Sequence, residues 1–211
     1  LEQYFKQVSD EDRLWALAIL SGRSIKRPVN GTLIKLWAIE LAGIPIWLFE
    51  ESYQTVGDLA ETIALVLPKA EDTQSKPLAY WIDYLLQMQK LPEEEKKRML
   101  QDAWMQLDYT ERFVFNKFLT GGFRIGVSQQ LVIKALARFS GIEEATLAHR
   151  LMGDWTAMNI TYPELISEDA TGQASKPYPF CLAYPVESTV DTLGEPNEWQ
   201  AEWKWDGIRG Q

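Results

Sequence analysis

The residues best suited to do chemistry lie at 198–209, Glu-Trp-Gln-Ala-Glu-Trp-Lys-Trp-Asp-Gly-Ile-Arg. Read at period two, this stretch predicts a strand with two chemically distinct faces. Trp199, Ala201, Trp203 and Trp205 fall on one face, and Glu198, Gln200, Glu202, Lys204 and Asp206 on the other. The apolar face asks for a core, and the polar face sets Glu202 and Lys204 side by side over whatever space that core leaves open. Asp206-Gly207 then breaks the strand with a turn dipeptide. A lysine amine becomes a nucleophile once its surroundings remove the proton that it otherwise keeps up to ~10.4. An edge strand with alternating Lys and Glu on a solvated sheet is the competing reading, and Lys-x-Asp-Gly alone does not separate the two.

The spacing Glu202-x-Lys204-x-Asp206-Gly207-x-Arg209 resembles the nucleotidyl-transfer motif of ATP-dependent DNA ligases. RNA ligases and messenger-RNA capping enzymes share its Lys-x-Asp-Gly core. The resemblance implies that Lys204 attacks the α-phosphate of ATP and holds AMP through a phosphoramide bond. It implies that Glu202 reads the adenine amino group and that Arg209 lies near the ribose and the phosphates at the nick. ATP and Mg2+ are the implied cofactors, the metal on the triphosphate stabilising developing charge. Glu202 and Arg209 at their fixed offsets weigh against a plain edge strand. Only two residues follow Arg209, whereas a nucleotidyltransferase domain needs several more strands. The chain is therefore expected to be the front part of a ligase that does not complete the reaction alone.

Composition sets the frame for the rest. A length of 211 residues allows one or two domains, and 46% hydrophobic residues suffice for a packed core. Cys181 and His149 are single, which excludes an intramolecular disulfide and argues against a structural zinc site. No apolar run reaches the ~20 residues that span a bilayer. Net charge is −9, which by itself disfavours nucleic acid. Yet 21–35 carries Arg23, Lys26, Arg27 and Lys35, and 112–138 carries Arg112, Lys117, Arg124, Lys134 and Arg138, neither stretch with an acid. Basic surfaces of this kind bind phosphates even in an acidic protein, although two solvated helix faces would read the same way.

The elements that must position these cations are helices. Short helices are expected over 1–7 and 13–20, the latter behind a cap at Ser9-Asp10. Asn30 caps a helix over 32–42 that Gly43 ends, and Pro45 opens another. An amphipathic helix is expected over 56–67, ending at Pro68; its Val-Gly-Asp-Leu-Ala-Glu start resembles the helical DNA-binding domain of the same ligases. A loop over 69–77 leads to an apolar helix over 78–91, and Pro92 with its three glutamates starts the next. Asp108 or Thr110 caps a further helix. A short helix is expected over 156–166, a linker over 167–175, and an entry segment to the second domain at 176–185.

The segment 111–130, Glu-Arg-Phe-Val-Phe-Asn-Lys-Phe-Leu-Thr-Gly-Gly-Phe-Arg-Ile-Gly-Val-Ser-Gln-Gln, resembles the centre of the ligase DNA-binding domain in its bacterial form. The resemblance places the turn from Thr120 to Gly126 on the sugar-phosphate backbone in the minor groove. Physically, Gly121 and Gly122 allow close approach to a phosphate, Arg124 offers a forked cationic donor, and Ser128 caps a helix whose free N–H groups favour an anion. A helix–turn–helix corner in which the glycines serve geometry alone is the plainer alternative.

An internal repeat favours binding. Leu20-Ser-Gly22 recurs as Leu119-Thr-Gly121, and Val29-Asn-Gly-Thr-Leu-Ile34 as Val127-Ser-Gln-Gln-Leu-Val132. Gly43-Ile44 recurs as Gly141-Ile142, Phe49 as Leu147 and Tyr53 as Leu151. Both basic stretches occupy the same place in the two copies, so a pseudo-twofold pair of corners, with Arg23, Lys26 and Arg27 in the first, would match duplex backbone on either side of a nick. Two poorly superposing halves, or basic corners on opposite faces, would defeat that idea.

The sequence thus predicts a mainly α chain. Residues 1–175 form a helical DNA-binding domain with an internal pseudo-twofold repeat, and 176–211 form the first strands of a nucleotidyltransferase (adenylation) domain. The expected partner is nicked double-stranded DNA, bound by a monomer without a membrane; the resemblance implies a cytoplasmic, nucleoid-associated bacterial protein. An RNA ligase or capping-type enzyme, and a non-catalytic DNA-binding module, are the rival readings.

Overall fold

The computed structural model describes residues 1–23, 25–70, 73, 75–121, 126–153, 155–167, 189, 192, 194–199 and 203. Their regular structure is helical, and no strand occurs among them. The chain order is α1 (Glu2–Gln7), α2 (Asp10–Leu20), α3 (Gly31–Ala42), α4 (Ile46–Val56), α5 (Leu59–Val66), α6 (Leu78–Met88), α7 (Glu93–Gln106), α8 (Tyr109–Thr120), α9 (Gln129–Ser140), α10 (Glu144–Met152) and α11 (Tyr162–Ile166). A 3-10 turn is present at Pro196–Glu198. The strand expected over 198–209 lies outside the described residues except at Glu198, which closes that turn, and at Trp199 and Trp203, the latter 88% exposed.

Side-chain caps set the helix starts. Ser9, Asn30, Asp58, Asp108 and Ser128 each accept a hydrogen bond from the backbone N–H three residues on, satisfying donors that the helix leaves unpaired. At α8, Glu111 returns the bond to the Asp108 N–H and closes a capping box. Two expected helices change their bounds for this reason. The helix over 56–67 is interrupted because Gly57 takes a left-handed conformation that ends α4, and Asp58 caps a new start at α5. The helix over 156–166 shrinks to α11 because Thr161 and Glu164 form a capping box there.

The packing is reciprocal between the two copies. α1 leads into α2 but packs on α9, and α7 leads into α8 but packs on α3. α5 packs on α8 as well as on α3 and α4, and α11 packs on α2 as well as on α10. Each copy thus covers the other's corner helices, and one continuous core runs through both, from Phe5 and Leu17 to Trp104, Leu136 and Leu147. α6 lies between the copies; the buried Asp12 carboxylate of α2 accepts the Ala79 N–H at 2.7 Å in its first turn.

Reciprocity extends further upstream than the sequence repeat suggested. Arg13 stands four residues after its cap and donates from Nε to the Phe5 carbonyl at 2.6 Å. Arg112 stands four residues after its cap and donates from Nε to the Trp104 carbonyl at 3.0 Å. Both acceptors lie in the last turn of the preceding helix, where carbonyls have no intrahelical partner. Arg112 is buried and also donates to the Pro68 carbonyl at 3.1 Å. Burial pushes its pKa below the ordinary value, with Asp108 opposing, but a guanidinium keeps its charge in proteins. Arg112→Met is expected to strand these carbonyls and cost roughly 2–4 kcal/mol, read from denaturant unfolding; Arg13→Met, at a more exposed site, is expected to cost less.

Candidate nucleic-acid interface

The two corners meet. α2 ends at Ser21, and Gly22 follows in the left-handed region at φ 80°. α8 ends at Gly121, also left-handed at φ 77°. Arg27 crosses from the first corner to the second. A Cβ added to Gly121 would lie 2.0 Å from Arg27 Nη2 and 2.6 Å from its Cζ. The guanidinium therefore rests on the bare Cα of a glycine, a seat that any other residue would fill.

A cavity of about 220 Å3 opens there. Ile19, Ile25, Ile82 and Phe118 line its apolar part, and Arg23, Arg27 and Lys117 its charged part. Lys117 lies one turn before Gly121 on the inner side of α8 and pairs with Asp58, the cap of α5. Its ammonium also sits 5.2 Å from the Phe113 ring centroid. Burial pushes the Asp58 carboxyl up, but the Lys117 ammonium and the Glu61 N–H outweigh it and hold the pKa below the usual carboxylate value.

The remaining predicted residues fall in distinct places. Arg23 faces inward. Its Nε donates to the Trp155 carbonyl and its Nη2 to the Leu151 and Gly153 carbonyls, all at 2.9 Å, and its Cζ stacks 4.2 Å from the Trp155 ring centroid. It thereby caps the carbonyl end of α10, in the other copy. Lys26 and Arg27 are exposed on the connection between α2 and α3, and Gln89 steadies that connection by donating to the Lys26 carbonyl at 2.6 Å. Thr120 donates back to the Asn116 carbonyl at 3.0 Å. Gly126, left-handed at φ 66°, and Ser128, the exposed cap of α9, stand at the far side of the second connection. Gly122, Arg124, Glu202, Lys204 and Arg209 lie outside the described residues.

α8 is the element that fixes this geometry. Buried Asn116 accepts the Trp104 indole N–H at 2.7 Å and donates to the Ala60 carbonyl at 3.2 Å. Together with Arg112 and Lys117 it fastens the helix to α5 and α7 along one side. Lys117 was visible in the sequence as one cation of a basic stretch. Its position over the corner follows only from the pairing with Asp58, 59 residues away. A second cavity, about 400 Å3 and lined by Tyr4, Trp81, Leu107 and Phe115 among others, lies between the copies and is mostly apolar. Among the described residues no three His, Cys, Asp or Glu gather as a metal site, and no single helix is long and apolar enough to cross a membrane.

The arrangement holds Arg27 of the first corner over the glycine backbone of the second, with Lys117, paired with Asp58, in the same cleft. The sequence profile of the DNA ligase N-terminus family matches residues 1–137. A probable DNA ligase of Koribacter versatilis (strain Ellin345) is 29% identical over 204 residues, covering 91% of this chain and 35% of the relative. The chain thus spans about a third of that relative's length.

Two outcomes follow from the geometry. Gly121→Ala is expected to cost about 1 kcal/mol from the left-handed backbone. The cost should be nearly the same in an Arg27→Ala background, because the guanidinium is a flexible end that swings aside; denaturant unfolding of the four proteins measures both. Asp58→Asn keeps the cap and removes the charge. Because the Asp58 pKa is depressed on folding, its contribution is present above the unfolded value near ~3.9 and disappears as pH falls through the lower folded value. Unfolding measured from pH 2 to pH 6 is expected to lose that part of its acid limb in the variant.

Proposed function

This chain belongs to the DNA ligase N-terminus family, and from that premise we propose that residues 1–175 hold nicked duplex DNA for a ligase. Arg27 seated on Gly121 carries the proposal: it joins the basic corner of one copy to the glycine corner of the other. A duplex laid across the cleft would meet Lys26, Arg27 and Lys117 on one side and Gly121, Gly126 and Ser128 on the other; Arg124 is assigned to this contact by the sequence resemblance alone. The reciprocal packing gives two comparable corners for backbone on the two sides of a nick, in the manner of a pseudo-twofold. Contacts of this kind position the protein without reading sequence.

Residues 176–211 are proposed as the beginning of the adenylation domain. There Lys204 would take AMP from ATP with Mg2+, Glu202 would recognise adenine, and Arg209 would lie near ribose and phosphate. The chemistry assigned to them rests on the motif Glu202-x-Lys204-x-Asp206-Gly207-x-Arg209. In the parent ligase the AMP would pass to a 5′-phosphate and be displaced by the 3′-hydroxyl.

Binding of nicked and intact duplex DNA across a salt series tests the first part. Affinity should fall steeply with salt, and Arg27→Ala or Arg124→Ala should reduce the log–log slope by about 1. Gly121→Ala should weaken binding as Arg27→Ala does, with no further loss in the double variant. Arg23→Ala should lower unfolding stability and leave the slope in place. No binding even at low salt would overturn the reading. Incubation with labelled ATP tests the second part: label on Lys204 would show that the chain is more than a binding module.

A further inference from the structure

The cavity beneath Arg27 has a chemical bias in its walls. Ile19 and Ile25, both half-buried, and the buried Ile82 and Phe118 form its apolar part. The other side chains that line it are Arg23, Arg27 and Lys117, and its remaining positions are Gly22 and Gly121. Arginine and lysine carry hydrogen-bond donors and no acceptor, and isoleucine and phenylalanine carry neither. Among the described residues, no side chain lining the cavity can therefore accept a hydrogen bond. Two backbone carbonyls of lining residues are already taken. That of Ile19 accepts the Gly22 N–H at 3.0 Å, and that of Lys117 accepts the Gly121 N–H at 2.9 Å.

The three cations are not equally available. Arg23 is held by the carbonyls at the end of α10, and Lys117 by Asp58. Arg27 is exposed, and among the described residues no hydrogen bond or ion pair engages its guanidinium. The bare Cα of Gly121 lies under it, and a Cβ added to Gly22 would meet nothing within 4 Å. Ile25 stands two residues before Arg27 on the same connection, and both line the cavity. An unpaired cation and an apolar wall thus share one recess of about 220 Å3.

A group that suits such a recess offers acceptors and C–H surface and brings no donor. On a nucleic-acid strand, the sugar between two phosphates answers that description only in its deoxy form. Its ring and ester oxygens accept, its C2′ is a methylene, and the adjoining phosphate accepts from a guanidinium. Ribose adds a 2′-hydroxyl, a donor as well as an acceptor, which lies on the minor-groove side. Arg27 would satisfy the hydroxyl oxygen, but the hydroxyl proton would meet isoleucine and phenylalanine side chains and lose its bond to water. On the reading of the cleft as a DNA site, we propose that the cavity seats one 2′-deoxyribose beside the phosphate on Arg27. Its apolar wall, Ile25 above all, selects deoxyribose over ribose. The phosphate contact supplies affinity that both sugars share, and the wall supplies the distinction.

Binding of the whole chain to three nicked duplexes at one low salt concentration tests this. The duplexes share one sequence and differ in one strand, built from deoxyribose, 2′-fluororibose or ribose. The 2′-fluoro sugar has the pucker of ribose and no hydroxyl to donate, so it separates the shape of the strand from the chemistry of the group. The ribo strand should bind about tenfold more weakly than the 2′-fluoro strand, the scale of one buried hydroxyl left without a partner. Ile25→Thr, which puts an acceptor into the wall at similar volume, should bring that ratio to within about threefold; Ile25→Val should keep it. Equal binding of the ribo and 2′-fluoro strands would overturn the proposal, and if both bind weakly the selectivity belongs to duplex shape. A ratio that Ile25→Thr leaves in place would also overturn it, by moving the discrimination elsewhere. Failure of the DNA reading is a separate result, in which the all-deoxy duplex itself does not bind and both conclusions fall. Unfolding is measured for each variant, and the strand comparison on the unaltered chain is decisive without them.

Discussion

Each copy of the repeat covers corner helices of the other. α2 and α8 each present one side to a helix that follows the other copy, and α3 and α9 each carry the helix that leads into the other. Everything at the cleft depends on this exchange. Separating the copies would expose Phe5, Trp104, Leu136 and Leu147 together, so the two corners are held at a fixed distance by the full hydrophobic core rather than by a local interface.

Guanidinium groups on carbonyls fasten the helix ends. Arg13 and Arg112 close the ends of α1 and α7 against the starts of α2 and α8, and Arg23 closes the end of α10 against the first connection. In each case a forked cation meets helix-end acceptors that would otherwise be left unpaired. The same residue type therefore serves two purposes along one basic stretch. Arg23 is spent on the scaffold, and Arg27, four residues on, is left over the glycine of the second corner. Charge counted along the chain does not distinguish them, because the carbonyls that hold Arg23 come from 128 to 132 residues away.

Local chemistry made much of the fold legible. Ser9, Asn30, Asp108 and Ser128 cap helices where their types and the following periodicity place caps, and Gly43, Gly121 and Gly141 end helices in the left-handed region. The break at Gly57-Asp58 was not legible as an end, because Val56 and Leu59 continue the apolar spacing across it. The repeat was legible from Leu20 onward, where small residues and glycines recur, and not before it, where identities are as sparse as Gln7 with Gln106 and Arg13 with Arg112, and Phe5 is paired with Trp104. At the cleft, Gly121 and Arg27 were both singled out, but their contact was not. Lys117 was counted only as charge.

The sequence by itself determined which residues are helical and where most helices begin and end. Those features rest on backbone donors, acceptors and φ preferences within a few residues of one another, and short-range chemistry is written in short-range sequence. Only the tertiary structure decided which copy covers which, that Arg27 meets Gly121, and that Arg23 turns inward. Each of these depends on what stands opposite a side chain across the core. Apolar burial is non-directional, so a hydrophobic stripe states that it must be covered and leaves the covering helix to be chosen by packing.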